Sequence, residues 1–312
     1  SGCGKTTSLR IIAGLERATS GRILVENEDV TLLPATDRDV SMVFQSYALF
    51  PHMSVLENVS YGLKMINVPK EEFTEKSLET LKLVNLEGYE NRMPSELSGG
   101  QQQRVAVARA IVLKPKVLLF DEPLSNLDAK LRRQVREDIR EIQQKLGVTT
   151  IYVTHDQEEA LAISDKVIVM NNAIIAQQGS PKELYNFPKT KFVANFIGDA
   201  NVVKAEIINQ NNNIYEIQLA EMKINIESDQ KLESSVSVSL RPEKITISKS
   251  PEENSIHASV NNASFVGNSY QYIVNSKVGK IYVVSSDTNE IFNVGENVYL
   301  KFDEKELRLL DD

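Results

Sequence analysis

The chain has 312 residues, of which 41% are hydrophobic and 25% charged, as is typical of a globular protein large enough for two domains. Its net charge of −8 lies mostly toward the carboxyl end, where residues 201–312 hold 11 Lys and Arg against 17 Asp and Glu. We therefore expect no basic surface and no nucleic-acid partner. A single cysteine excludes an internal disulfide and indicates a reducing compartment, and no apolar run is long enough to predict a membrane span.

The sequence begins with Ser1-Gly2-Cys3-Gly4-Lys5-Thr6-Thr7, which matches the last six positions of the phosphate-binding pattern G-x-x-x-x-G-K-[ST] plus one threonine. In such a loop the glycines let backbone N–H groups surround a phosphate. The lysine reaches the β- and γ-phosphates, and the first hydroxyl binds Mg²⁺. The first glycine and the preceding strand would lie before Ser1, which predicts a fragment whose opening strands are missing. The alternative is a glycine-rich turn with an incidental lysine.

Three apolar runs predict buried strands that each lead to polar residues: Val40–Phe44 before Gln45, Val117–Phe120 before Asp121 and Glu122, and Thr149–Thr154 before His155. Open α/β sheets bind ligands at the carboxyl ends of their strands, so we expect these side chains at one edge. Two adjacent carboxylates at a strand end lose hydration, which is costly unless Mg²⁺ and a water compensate them. Asp121 would hold the ion, and Glu122 would polarise the water. The alternatives are a surface turn and a structural histidine.

The stretch Leu97-Ser98-Gly99-Gly100-Gln101-Gln102-Gln103-Arg104 opens a helix with an apolar face. Ser98 and Gln101 match a capping box, which alone would indicate only a well-capped helix. The free N–H groups and the positive end of the helix dipole are also suited to a phosphate. The stretch is therefore a second candidate phosphate site.

Other segments complete the first part of the chain. Residues 46–66 are aromatic-rich and broken by Pro51 and Gly62, which is equally consistent with core and with an apolar groove for a partner. Helices are predicted over residues 70–86 and from Ser125–Asp128 to Gly147. Strands over 166–170 and 173–178 and helical segments over 182–187 and 190–197 follow.

Beyond Gly198 the pattern changes to short alternating runs separated by turn residues. This pattern predicts a small all-β domain, either a barrel or a sandwich. The run Asn209–Asn213 is predicted to be a loop. We therefore expect two domains, residues 1–198 and residues 199–312.

In this order, the motifs resemble those of the ATP-binding cassette ATPase family. The resemblance covers residues 1 to about 197 and implies an α/β P-loop NTPase domain with a helical subdomain, ATP hydrolysis and Mg²⁺. It implies ATP contacts for a set of residues that includes the metal ligands Thr6, Gln45 and Asp121 and the signature stretch of a second copy: Ser1, Gly2, Cys3, Gly4, Lys5, Thr6, Thr7, Gln45, Asp121, Ser98, Gly99, Gly100 and Gln101.

Through the same resemblance, Glu122 is the catalytic glutamate, His155 the switch histidine and Gln45 the Q-loop residue. The family's adenine-stacking aromatic residue would precede Ser1, so we expect residues 1–312 alone to bind nucleotide weakly. Two copies should sandwich two ATP molecules head to tail, because each loop already holds its own phosphate and each signature helix needs one.

The segment from Phe44 to Val59 and the β domain, with its piece Leu240-Arg241-Pro242-Glu243, are similar to importers of polyamines, ferric iron, sugars, sulfate or molybdate. That similarity implies an OB-like, TOBE-type regulatory or dimerising domain over 199–312. It also implies permease subunits that dock on residues 45–63, a solute-binding protein as an indirect partner, and a location at the cytoplasmic face of the cell membrane. Ferric iron or polyamine is the preferred cargo.

Two other classes are weighed against the importer. A cassette ATPase that clamps DNA or ribosomes would carry long coiled-coil insertions or a second cassette, and the sequence shows neither. A nucleotide or small-molecule kinase would share the phosphate loop but leave residues 97–101 unexplained.

Overall fold

The computed structural model describes residues 2–227, 235–252 and 254–311. They form two compact units. The first comprises residues up to 164 together with 170–174, and the second comprises 165–169 and the residues from 175 onward. The domain boundary that the sequence predicts, between residues 198 and 199, stays a prediction.

The first unit is an α/β structure in which three parallel strands lie among helices. Its elements, in chain order and apart from short 3-10 turns, are α1 (Lys5–Ile12), β1 (Leu24–Val25), β2 (Glu28–Asp29), β3 (Val40–Val43), α2 (Val55–Met65), α3 (Lys70–Leu83), α4 (Gly99–Ile111), β4 (Val117–Asp121), α5 (Ala129–Leu146), β5 (Thr149–Val153) and α6 (Gln157–Ile163). A hairpin of β6 (Val167–Asn171) and β7 (Ile174–Gly179) follows.

Strand β4 is the centre of the parallel sheet, whose order is β3-β4-β5. Its apolar residues are buried on both faces: Leu118 and Phe120 pack into the cluster formed by the helices, and Val117 and Leu119 into the cluster around Leu9 of α1. Side chains alternate across a strand, so a strand covered on both faces must be apolar throughout. The prediction of a buried parallel strand is confirmed.

One buried arginine ties the end of α1 to the loop before β3. Arg38 donates hydrogen bonds to the carbonyl oxygens of Ile11 (2.6 Å), Ile12 (3.0 Å), Leu33 (2.8 Å) and Thr31 (3.0 Å). Two of these carbonyls are among those that the end of α1 leaves without helical partners. The guanidinium of Arg38 therefore supplies hydrogen bonds to carbonyl oxygens in the last turn of α1.

The second unit is largely antiparallel β structure. Its remaining elements are α7 (Pro181–Asn186), α8 (Lys191–Phe196), β8 (Asn201–Asn211), β9 (Ile214–Leu219), β10 (Met222–Glu227), β11 (Ser235–Leu240), β12 (Ile245–Ser248), β13 (Ser255–Phe265), β14 (Tyr270–Ser276), β15 (Gly279–Ser285), β16 (Asn297–Phe302) and β17 (Arg308–Leu310). Two five-stranded sheets, ordered β10-β9-β8-β11-β17 and β12-β16-β13-β14-β15, share one apolar core. The all-β prediction is confirmed.

The predicted loop over Asn209–Asn213 is wrong for its first three residues. Asn209 to Asn211 continue β8 and pair with β9 after a bulge, and only Asn212 and Asn213 form the turn. Asn212 has φ 56°, a left-handed conformation that asparagine tolerates better than most residues. Asparagine composition alone did not distinguish the strand end from its turn.

Arg241 anchors the two short helices to the β sheets within the second unit. Its guanidinium is buried, lies 4.0 Å from the centre of the Tyr185 ring and donates to the carbonyls of Tyr185, Ala194 and Ile197. Tyr185 donates to Glu243 at 2.6 Å.

Within the part of the chain that is described, no helix combines the length and apolar character that a bilayer crossing requires.

We expect Gly14→Ala to destabilise the first unit more than Gly21→Ala. Both glycines have left-handed φ values, 77° and 94°, which cost an alanine ~1–2 kcal/mol. At Gly14 an added Cβ would also lie 2.7 Å from Nε of Arg38 and 2.9 Å from the backbone N of Ala35, whereas nothing lies within 4 Å at Gly21. The further loss should be ~1–3 kcal/mol, measured by denaturant unfolding. Equal losses would contradict the packing argument.

Candidate active site

The carboxyl ends of the three parallel strands bring the predicted residues together. Val43 lies opposite Phe120, and Asp121 lies opposite Val153, so β3, β4 and β5 end side by side. Gln45, Glu122 and His155 follow these ends within two residues. The structure therefore places the candidate residues at one edge of the sheet, as expected for an open α/β fold.

The glycine-rich loop lies against this edge. Gly4, with φ 88°, immediately precedes α1, whose first residue is Lys5. The Nζ atom of Lys5 lies 3.4 Å from Sγ of Cys3, so the lysine folds over its own loop. The N-terminus of α1 supplies backbone N–H groups and a positive dipole end, which together favour an anion. Ser1 lies outside the described residues.

A threonine and an aspartate form the candidate Mg²⁺ site. Oγ1 of Thr6 donates to Oδ1 of Asp121 at 3.2 Å, which joins the start of α1 to the end of β4. Hydroxyl and carboxylate oxygens are the ligands that Mg²⁺ accepts from P-loop proteins. Their proximity fits a shared Mg²⁺ ion. Gln45, the third predicted ligand, is held instead by neighbours described below.

Glu122 and His155 form a direct pair. Nδ1 of His155 lies 2.9 Å from Oε2 of Glu122. The His155 side chain is 63% exposed and the Glu122 side chain 24%, so the pair is accessible from solvent. Glu122 has φ 45°, an uncommon conformation for a residue with a side chain, while its N–H donates to Val153. Strained backbone of this kind concentrates at functional sites.

Gln45 joins the same cluster through Ser125. Its Nε2 donates to Oγ of Ser125 at 3.1 Å, and Oγ of Ser125 donates to the carbonyl of Glu122 at 3.0 Å. The backbone carbonyl of Gln45 accepts a bond from Nδ2 of Asn126 at 3.0 Å. The segment that begins at Ser125 therefore fixes the position of Gln45 near Glu122.

The predicted signature stretch is a formed helix end. Ser98 caps α4, accepting from the N–H of Gln101 at 3.4 Å, and the side chain of Gln101 accepts from the N–H of Ser98 at 2.8 Å. Gly100 lies against Leu131 of α5, which an added Cβ would approach to 2.8 Å. Among the described residues, no hydrogen bond or ion pair links this stretch to the glycine-rich loop.

The loop between Gln45 and α2 has a defined conformation. Tyr47 and Ala48 both have left-handed φ values, 60° and 49°, and Arg109 of α4 donates to their carbonyls at 2.9 and 2.7 Å. Buried Asn58 accepts from the N–H of Phe50 and donates to its carbonyl at 3.1 Å. Two polar side chains thus fix a loop that the sequence leaves undecided between core and surface.

Sequence reasoning missed these supporting residues. It also missed Glu159, which is buried in α6, accepts a hydrogen bond from Thr154 and donates through its N–H to Asp156, the two neighbours of His155. Asn58, Arg109 and Glu159 all lie on apparently ordinary helices. A polar residue at a helix position that its neighbours mark as buried is the one signal available from sequence.

Comparisons with known proteins agree with this geometry. The family model described as ABC transporter matches residues 1–125, and that of the TOBE domain matches residues 238–310. The chain is 50% identical over 311 residues to the Fe(3+) ions import ATP-binding protein FbpC of Agrobacterium fabrum. It is 49% identical over the same length to the protein of that name from Brucella melitensis. Both alignments cover 100% of this chain and 88% of the relative.

Solved structures give the same result for the first part of the chain. The dimeric cassette MJ0796, in a post-hydrolysis state bound to ADP and Pi, is 32% identical with a TM-score of 0.51 over 58% of this chain and 82% of that one. The protein cbiO1 from Clostridium perfringens, part of the transporter complex cbiONQ, is 33% identical with a TM-score of 0.55 over 59% and 75%. The chain belongs to the ABC transporter family, as an ATP-binding and ATP-hydrolysing subunit with a TOBE domain.

Proposed function

We propose that this subunit powers the import of ferric iron. The assignment of ferric iron as the cargo rests on similarity to relatives. The chain is 48–50% identical, over at least 96% of its length, to proteins from several bacteria that share the name Fe(3+) ions import ATP-binding protein. The cargo of an importer is selected by other subunits. The relatives therefore support ferric iron as the cargo, whereas the site in this subunit bears only on the use of ATP. Of the two cargoes preferred from the sequence, the relatives favour ferric iron over polyamine.

We infer that the glycine-rich loop holds the phosphates of ATP. Backbone N–H groups of residues 1–4 surround the phosphates, the ammonium of Lys5 reaches the β- and γ-phosphates, and Thr7 binds beside them. Thr6, Asp121 and Gln45 would hold Mg²⁺, which when bound neutralises charge on the phosphate oxygens. The contact between Thr6 and Asp121 supports this assignment.

The pair of Glu122 and His155 supports a role in hydrolysis. Glu122 orients the attacking water and accepts its proton as the water oxygen bonds to the γ-phosphorus, and the bond to the leaving oxygen of ADP breaks. His155 holds the carboxylate through the 2.9 Å contact, and in this role it would face the γ-phosphate. Gln45 orients water and the metal from the neighbouring strand end.

A second copy of the chain completes each site. Ser98, Gly99, Gly100 and Gln101 would contact the γ-phosphate bound by the partner copy, with the two chains arranged head to tail. Among the described residues no hydrogen bond or ion pair joins them to the chain's own glycine-rich loop, which is consistent with this arrangement. The dimeric state of the similar cassette MJ0796 supports it as well.

The subunit would bind permease subunits at the cytoplasmic face of the membrane and work with a solute-binding protein through them. Residues 45–63 form the proposed docking surface, because Arg109 and Asn58 hold this loop in a defined shape before any partner arrives. A fixed loop binds with a smaller entropic cost than a flexible one. No role for nucleic acid is proposed.

Glu122→Gln should retain ATP and stop its hydrolysis. The amide keeps the shape of the side chain and cannot accept the proton of water, so we expect the rate to fall ~10²–10⁴-fold. Size-exclusion chromatography with ATP should show an accumulated dimer. Glu137→Gln, a change at an exposed position of α5, should leave both properties unaltered. Hydrolysis by Glu122→Gln at the wild-type rate would contradict the assigned role.

Two inactive variants should restore activity when mixed, because each site takes residues from both chains. Lys5→Ala lacks the phosphate lysine and Ser98→Arg blocks the signature helix, so neither homodimer has an intact site. A mixed dimer has one intact and one doubly altered site. Equal mixing should therefore recover about a quarter of the wild-type ATPase rate. An unchanged baseline after mixing, or full activity of a strictly monomeric chain, would contradict the composite site.

Removal of the coding sequence should abolish ferric iron uptake in the source organism. Radiolabelled ferric iron and radiolabelled polyamine are supplied separately, and uptake of each is measured. The wild-type chain should restore ferric uptake, and Glu122→Gln should not, while polyamine uptake stays constant throughout. An integral membrane protein should co-purify with the complemented chain. Unchanged ferric uptake, or loss of polyamine uptake instead, would contradict the proposed cargo.

A further inference from the structure

A buried carboxylate lies behind the candidate site without contacting it. Glu159, in the first turn of α6, is 4% exposed. Its Oε2 accepts hydrogen bonds from Oγ1 of Thr154 at 2.8 Å and from the hydroxyl of Tyr152 at 3.1 Å. Burial raises the pKa of Tyr152 and the adjacent Glu159 raises it further, so the phenol keeps its proton and donates. A carboxylate so placed needs its partners, because an unpaired buried charge is strongly destabilising.

These bonds hold both neighbours of His155. Oγ1 of Thr154 donates to Glu159 and also accepts from the N–H of Asp156 at 2.9 Å. Asp156 in turn caps α6, accepting from the N–H groups of Glu158 and Glu159 at 2.8 and 3.2 Å. The backbone on each side of His155 is thereby fixed, although the His155 side chain is exposed and contacts Glu122.

An arginine connects the same carboxylate to the segment that precedes α5. Arg132 lies with Nε 3.8 Å from Oε1 of Glu159 and with Nη1 3.4 Å from Oδ2 of Asp156. Its Nη2 donates to the carbonyl of Leu127 at 3.1 Å. Nε of Arg132 is buried and 3.8 Å exceeds hydrogen-bond length, so charge attraction to Glu159 compensates it. The segment with Ser125, which orients Gln45, is therefore joined to the His155 segment.

We propose that Glu159 is a positioning residue for hydrolysis. Through Thr154 and Asp156 it sets His155 against Glu122, and through Arg132 it links residues 154–156 to residues 125–128. The inference rests on the proposed roles of Glu122 and His155. It assigns no chemistry to Glu159 itself, which touches neither nucleotide nor water in the reaction.

The first test is Glu159→Gln, with Glu158→Gln as the matched control. The amide oxygen can still accept from Thr154 and Tyr152, but these bonds weaken because the acceptor is no longer ionised, and the charge that faces Arg132 is lost. Residues that support catalytic groups in this way typically contribute ~10–100-fold, so we expect kcat to fall at least tenfold with KM for ATP changed less than twofold. Glu158 is exposed on the same helix turn, and its variant should hydrolyse ATP at the wild-type rate.

A double-mutant cycle with His155→Ala separates positioning from general folding. Because Glu159 acts partly through His155, adding Glu159→Gln to His155→Ala should lower kcat by less than Glu159→Gln lowers it alone. Additive losses would overturn the proposal, as would an unaltered kcat in Glu159→Gln. An unaltered kcat in His155→Ala alone would instead refute the proposed role of His155, so the two failures are distinguishable.

A milder pair of variants covers the case in which Glu159→Gln does not fold, which its thermal midpoint will reveal. Thr154→Val keeps the branched shape and removes the hydroxyl that bridges Glu159 and Asp156. We expect it to lower kcat several-fold, and we expect Thr154→Ser, which restores the hydroxyl, to recover the wild-type rate. Equal rates for the Val and Ser variants would overturn the proposal.

Discussion

The doubly buried strand β4 is the constraint on which the rest of the first unit depends. Helices cover both of its faces, so it is apolar until Asp121, where the chain reaches the sheet edge and both acids appear together. Its two parallel neighbours end beside it and deliver Gln45 and His155 to the same place. The site is thus a consequence of sheet register: polar residues occur where the apolar requirement stops.

Much of this arrangement was predictable from sequence. The apolar runs before Gln45, Asp121 and His155 have strand length and strand composition, and parallel strands must align their carboxyl ends. The β domain was harder, because β13 consists largely of Ser, Asn, Ala and His, none of which is enriched in strands. Its burial alternates all the same at Ile256, Ala258 and Val260, since neighbouring strands supply the pairing that its composition does not.

Supporting polar residues were the part that sequence could not supply. Arg109 bonds to a carbonyl 62 residues away along the chain, and Asn58 and Glu159 bond to loop and strand groups eight and five residues away. No periodicity in the sequence records such partners. Each lies on a helix whose surface positions carry many similar residues. Only three-dimensional contact distinguishes a side chain that holds a loop from one that faces solvent.

Helix α4 contacts two regions to which we assign proposed roles, the signature stretch and the loop at residues 45–63. Its first turn is the signature stretch capped by Ser98, and three turns later Arg109 grips the carbonyls of Tyr47 and Ala48. Thirteen residues of α-helix form a rod roughly 20 Å long. An α-helix is stiff along its axis, so a shift of the end that carries Ser98 would displace the loop to which Arg109 is hydrogen-bonded near the other end. The proposed ATP site and the proposed docking loop would then be coupled by one rigid helix instead of by a relay of side chains.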